Sequence, residues 1–131
     1  MWESINFARK EFACKCGCGM DTVDYELLTG LEQLRMKLSG FLGAAVVRIR
    51  VVSGNRCPKR NVDVGGEKNS YHMKSRAADI QVDQLADGEW HGIAPKIVAD
   101  LAEDLEFGGV GRYETFTHVD TRSLKARWGH N

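Results

Sequence analysis

The sequence predicts an α+β fold, a small antiparallel sheet backed by helices, and three observations carry that prediction. Leu27, Leu31, Leu34 and Leu38 recur at three- and four-residue steps, the spacing of one helix face, and Ile93, Ile97, Val98, Leu101 and Leu105 repeat the pattern. Val47, Ile49 and Val51 alternate with Arg48 and Arg50, the two-residue period of a strand with one buried face. Strand-like and helix-like segments follow one another without strict βαβ order, which favours antiparallel pairing over a doubly wound parallel sheet.

Taken in order, residues 1–20 read as irregular, with Gly17 and Gly19 favouring tight turns between cysteines. Asp21 is placed to cap a helix over about 22–39, which Gly40 and Gly43 end. The Val47–Val51 strand breaks at Ser53-Gly54-Asn55-Arg56-Cys57-Pro58, and a polar loop runs to about Asn69. Ala77, Ala78, Ile80 and Val82 suggest a second strand. Pro95 is tolerated in the first turn of the second helix. Gly108 to Tyr113 and Phe116 to Thr121 read as two short strands of a hairpin.

With 131 residues, no repeat and no linker, the chain fits one domain over residues 1–131, large enough for a hydrophobic core of its own. Lys plus Arg equals Asp plus Glu, so the net charge gives no global attraction to nucleic acid or to a membrane surface. No window approaches the roughly 20 apolar residues of a membrane span. The Met1-Trp2-Glu3-Ser4-Ile5-Asn6-Phe7 start lacks the basic-then-apolar layout of a secretory leader, so synthesis in the cytoplasm and a monomer are expected. Cys14, Cys16 and Cys18 form a C-x-C-x-C run, and Cys57 stands apart. Alternate positions on an extended chain point the same way, so the sulfurs can converge on a structural zinc or iron, or one can pair with Cys57. The spacing is not the C-x-x-C of zinc knuckles, and a reducing compartment disfavours disulfides, so plain thiols are the preferred reading.

Three polar residues lie on or beside predicted core strands: His72, Asp79 and His118. An aspartate between Ala77, Ala78 and Ile80 is costly to bury unless a cation or a partner such as Arg76 or Lys74 answers it. Two imidazoles and a carboxylate also suit a catalytic zinc that keeps its fourth position open. No H-E-x-x-H helix motif is present. His91 and His130 are expected to be exposed, Trp90 and Trp128 to pack in the core or at its rim, with a cleft wall as the alternative, and Arg48 and Arg50 to face solvent.

The stretch Ser70-Tyr71-His72-Met73-Lys74-Ser75-Arg76-Ala77-Ala78-Asp79-Ile80 resembles the S-x-H-x-x-G-x-A-x-D signature of the zinc D-Ala-D-Ala carboxypeptidase family. That family includes D-Ala-D-Ala dipeptidases and phage L-alanyl-D-glutamate endolysins, and it shares a fold with the hedgehog signalling domain. Phe12 to Gly19, Ser53 to Pro58, Asn61 to Gly66, Gly108 to Tyr113 and Phe116 to Arg122 resemble its carboxypeptidase-like branch in the same order. The signature's glycine is Ser75 here. If that turn needs a positive φ, serine strains it by about 1 kcal/mol without displacing the ligands.

The resemblance implies a hedgehog/DD-peptidase-like fold and one catalytic zinc on His72, Asp79 and His118. It also implies that Arg56 binds a substrate carboxylate or carbonyl, for which a guanidinium fork is suited; otherwise Arg56 is a solvated loop residue. Ser70 either binds substrate or caps its turn. Relatives carry an acid three residues before the last histidine, where this chain has Thr115. Asp120 and Glu114 are the remaining candidates for general base. His118 and Asp120 share a strand face with side-chain bases about 7 Å apart, so Asp120 either activates water or orients a histidine. The implied substrate is a peptidoglycan stem peptide, cut by a carboxypeptidase or endopeptidase of phage or prophage origin that acts on the cell wall. The alternative is a zinc-stabilised binding or phage assembly module without turnover.

Overall fold

The computed structural model of the protein describes residues 6–129. After a 3-10 turn at Arg9–Phe12 come α1 (Tyr25–Leu42), β1 (Val47–Ser53), α2 (Pro58–Asp63), a second 3-10 turn (Tyr71–Lys74), β2 (Ala77–Ala86) and β3 (Glu89–Gly92). These are followed by α3 (Pro95–Asp104), β4 (Gly109–Arg112), β5 (Thr117–Asp120) and β6 (Ala126–Gly129). The α+β class holds, but the sheet is mixed rather than antiparallel. Its order is β1-β2-β5-β4-β6, with β3 on the second half of β2, and β4 and β6 run parallel. The chain makes that parallel pair by running through β5 and returning over residues 121–125 to the far side of β4.

One face of the sheet is the core. Ala78, Ile80 and Val82 of β2, Val110 of β4 and Val119 of β5 pack with Leu27, Leu31, Leu34 and Leu38 of α1 and with Val98 and Ala102 of α3. The leucine spacing thus does what it predicts, one helix stripe buried on one sheet face. The helix starts later than Asp21 suggests: Tyr25 is its first residue and Asp24 its N-cap, while Asp21 is drawn into an ion pair with Arg9. Gly40 stays helical, and Gly43 in the left-handed region (φ 64°) ends the helix. Pro95 is the first residue of α3, as expected.

Three elements were not visible in the sequence. α2 lies inside the stretch read as polar loop, where Pro58 opens it and Cys57 caps it. β3 and β6 are short and lack alternation, so only their partners define them. Arg48 and Arg50 do not simply face water: both hold the buried Asp83 across the β1–β2 ladder, at 2.9 and 2.6 Å. His91 and Trp90 are exposed, with Arg48 4.0 Å above the Trp90 ring, and His130 lies outside the described residues.

Candidate active site

Strand register builds the site. Directly opposed residues share a sheet face, and Asp79 of β2 faces His118 of β5, Ala77 faces Asp120, and His118 in turn faces Gly111 of β4. Trp128 of β6 lies beside Gly111. Asp79, His118, Asp120 and Trp128 therefore all project from the face opposite the core. His72 arrives from outside the sheet on the Tyr71–Lys74 turn. Ser70 sets that turn by accepting from the His72 N–H at 3.1 Å, which is the capping job. Ser75 closes it at φ 59° and ψ 26°, the left-handed region.

The imidazoles converge on one carboxylate oxygen. His72 Nε2 is 3.2 Å and His118 Nδ1 2.9 Å from Asp79 Oδ1, and all three residues are buried. Each ring is fixed at its other nitrogen. His72 Nδ1 lies 2.6 Å from the Gly54 carbonyl, and His118 Nε2 2.7 Å from Asp120 Oδ2. A carbonyl only accepts, so His72 Nδ1 carries the proton and Nε2 turns its lone pair to Asp79. Lone pairs aimed at a carboxylate repel it unless a cation or a proton stands between. The three ligand atoms lie within 4.8 Å of one another, and the donor set of two nitrogens and an oxygen suits a divalent ion of the zinc class.

The same contacts set the charges of the cluster. Burial alone would raise the Asp79 carboxyl, but His118 and His72 hold it well below the usual carboxylate range. Burial would lower His118, and the Asp120 and Asp79 carboxylates instead push it up. The ion pair with Arg76 or Lys74, the ordinary alternative for Asp79, does not form. Arg76 binds the Thr121 hydroxyl and carbonyl, and Lys74 covers the Tyr71 ring.

The remaining assignments divide. Arg56 is no solvated loop residue: its side chain is 16% exposed, and it reaches Asp79 Oδ2 at 3.3 Å and Asn61 Oδ1 at 3.3 Å. Asp120 is fully buried. One of its oxygens meets His118 and both meet Arg122, at 2.6 to 3.1 Å. Glu114 is exposed in the β4–β5 turn and lines a different hollow, beside Gln81 and Thr115. Cys14, Cys16, Cys18 and Cys57 come together elsewhere, at the junction of the N-terminal loop with α2.

The site opens into a cleft of about 630 Å³ whose walls include Arg56, Glu67, Tyr71, Phe116, Arg122 and Trp128. That size falls within the range of ligand-binding clefts. Of the two readings for Trp128, the cleft wall holds and core packing does not. Its ring lies 5.1 Å from that of His118, and its Nε1 donates to the Tyr113 hydroxyl at 2.9 Å. The motifs alone assign Arg122 no role, but it clamps Asp120 and covers both Tyr71 and Trp128. Its position two residues beyond Asp120 was the available signal.

A model of the peptidase M15 family matches residues 5–120, nearly the whole chain and every residue of the His-Asp-His cluster. The chain belongs to the peptidase M15 family. Among curated proteins it is 37% identical over 91 residues to the probable peptidoglycan L,D-endopeptidase MepK of Haemophilus influenzae. The alignment covers 64% of this chain and 45% of that relative, so the M15 chain spans less than half of the relative's length. The family expected from the motifs of residues 53–122 is thus the one found. Across the described residues of this M15 chain, no helix is long and apolar enough to cross a membrane.

Proposed function

We propose that residues 1–131 form one zinc-dependent peptidase domain that hydrolyses peptidoglycan stem peptides, with His72, Asp79 and His118 as metal ligands. The observation that carries this reading is the convergence of His72 Nε2 and His118 Nδ1 on one Asp79 oxygen at the floor of an open cleft. When bound there, zinc supplies Lewis-acid polarisation of a peptide carbonyl and an acidified water. The chain's own groups do the rest. The Gly54 carbonyl and Asp120 fix the tautomer and tilt of the two imidazoles. Arg56 offers its guanidinium to a substrate carboxylate, and Tyr71 and Trp128 form apolar walls for the peptide.

We assign Asp120 to positioning His118 rather than to taking the water's proton, because His118 and Arg122 already occupy its oxygens. Glu114 is exposed and lines a different hollow. Among the described residues, Glu67 is the carboxylate on the cleft wall besides Asp79, and it is the one to test as general base. The name of the Haemophilus relative puts an L,D bond first among substrates, ahead of D-Ala-D-Ala and L-Ala-D-Glu. The occupation of position 115 by threonine supports one second reading, a zinc-stabilised binding module without turnover.

The test is digestion of L,D-linked, D-Ala-D-Ala-terminated and L-Ala-D-Glu peptides by zinc-loaded protein, with products read by mass spectrometry. Cleavage of at least one, abolished in His72→Ala and Asp79→Ala, is the expected result. Protein that holds zinc on these residues yet cuts none of the three fits the binding module instead.

A further inference from the structure

The four cysteines form a second cluster, separate from the catalytic cleft and independent of the peptidase reading. All four sulfurs lie within 4.8 Å of one another, with Cys14 to Cys16 at 3.4 Å and Cys16 to Cys57 at 3.5 Å. The cysteines are free thiols, two of them exposed. We propose that Cys14, Cys16, Cys18 and Cys57 are the ligands of a structural, tetrathiolate zinc site.

Geometry supports it first. A zinc–sulfur bond of about 2.3 Å sets the edge of a tetrahedron near 3.8 Å. The observed separations, from 3.4 Å to a limit of 4.8 Å, bracket that edge. The backbone is arranged to produce this convergence. Cys14 N–H donates to the Met20 carbonyl at 2.8 Å and Gly17 N–H to the Cys14 carbonyl at 3.2 Å, which curls the loop back on itself. Gly17 and Gly19, at φ 82° and 90°, take conformations that side chains resist, and so bring three alternate cysteines to one side.

Main-chain donors already address the sulfurs. Cys57 N–H points at Cys14 Sγ and Arg60 N–H at Cys57 Sγ, both at 3.4 Å. Such donors favour thiolate over thiol, and thiolate is the form that binds metal. Four thiolates this close repel one another strongly, and a divalent cation of soft-ligand preference removes that repulsion. Four alternate or distant cysteines have no packing reason to meet: three of them are not buried, and the buried one, Cys14, lies outside the apolar core cluster.

The consequence is a staple between two parts of the chain. The site would fasten the N-terminal loop to residue 57, next to Arg56. The same junction is held by the Asn55 amide, which donates to the Phe12 carbonyl at 2.9 Å and the Thr22 carbonyl at 2.6 Å. A metal there rigidifies the loop that carries Arg56 into the cleft.

Metal analysis and cobalt substitution on reduced protein test the proposal. Wild type should hold about two zinc ions per chain, and His72→Ala and the double variant Cys16→Ser/Cys18→Ser about one each. Both substituted cysteines are exposed, so loss of packing does not confuse the result. Cobalt-loaded His72→Ala should show the near-ultraviolet sulfur-to-cobalt charge-transfer band, which the double variant should lack. If the double variant fails to fold, the presence or absence of that band in His72→Ala decides alone. Zinc content unchanged by the cysteine substitutions, iron in place of zinc, or disulfides among the four in protein isolated without reductant would overturn it. Loss of the histidine site with the cysteine site intact would count against the peptidase reading and leave this one standing.

Discussion

At the scale of single residues, Asp120 shows how a site residue is defined by what it touches. Its burial would raise its carboxyl, but His118 and Arg122 hold it well below the ordinary range and leave it an acceptor for the His118 N–H. Asp120→Asn keeps the shape and removes the charge. It should weaken zinc binding by about 10- to 100-fold, as loss of a carboxylate behind a histidine ligand typically does. Competition with a chelator measures this. A collapse in turnover with zinc affinity unchanged would return Asp120 to the role of base. Ser75 gives a second test. It holds φ 59° where the family signature has glycine, and its hydroxyl lies 2.6 Å from that of Thr22. Ser75→Gly and Ser75→Ala both lose the hydroxyl, but only alanine keeps the left-handed strain. Urea denaturation should find the glycine variant more stable than the alanine variant by about 1 kcal/mol. Equal stabilities would mean the turn carries no such strain.

At the scale of elements, β4 is a short strand, Gly109–Arg112, and the most exacting. Gly109 and Gly111 face the site, and Val110 faces the core. A Cβ on Gly109 would stand 2.3 Å from Asp120 Oδ2, and one on Gly111 would stand 2.6 Å from the Trp128 ring. The glycines therefore leave room for a carboxylate and an indole rather than permit an unusual backbone. Gly109→Ala should push the carboxylate off His118 and strain the strand pair, lowering stability by about 2 kcal/mol, as overpacking does. It should also weaken zinc binding. Calorimetry with metal titration checks both, and a variant with full affinity would show that Asp120 can move freely. The hairpin of β4 and β5 was legible from its residues. The space requirement was not, since glycine in a strand reads equally as a bend or a weak point.

At the scale of the whole molecule, stability and site draw on opposite faces of one sheet. The core face carries the apolar burial. The other face holds charges in pairs, and Asp83 between Arg50 and Arg48 is the pair farthest along β2 from the histidines. Arg50 chiefly lowers the Asp83 carboxyl against the opposing effect of its burial, and Arg48 adds to this. A carboxylate lowered on folding contributes stability above its unfolded pKa, near 3.9. It loses that contribution as pH falls through the lower folded value. Asp83→Asn should cost about 1 kcal/mol at pH 7, modest because both arginines are partly solvated. The gap from wild type should shrink when urea midpoints are compared at about pH 3. A gap that persists unchanged in acid would mean the effect is packing, not charge.

The sequence by itself determined α1, α3, the central strands and the candidate trio of His72, Asp79 and His118. Apolar spacing and a charged residue in an apolar strand are local facts, and the energetic penalties behind them need no partner to be recognised. The motifs around Arg56, His72, Asp79 and His118 added the family on the same local grounds. Only the tertiary structure decided the rest. The parallel β6, the placement of Trp128 over His118 and the exclusion of Glu114 from the cleft depend on which strands lie side by side. Asp120 and His118 share a strand face in any register, but whether that carboxylate is free or clamped depends on Arg122. Cys16 and Cys57 meet across 41 residues of sequence because the N-terminal loop and the start of α2 adjoin. Such long-range contacts leave no periodicity in the chain, since each is fixed by packing between segments whose own sequences are indifferent to it.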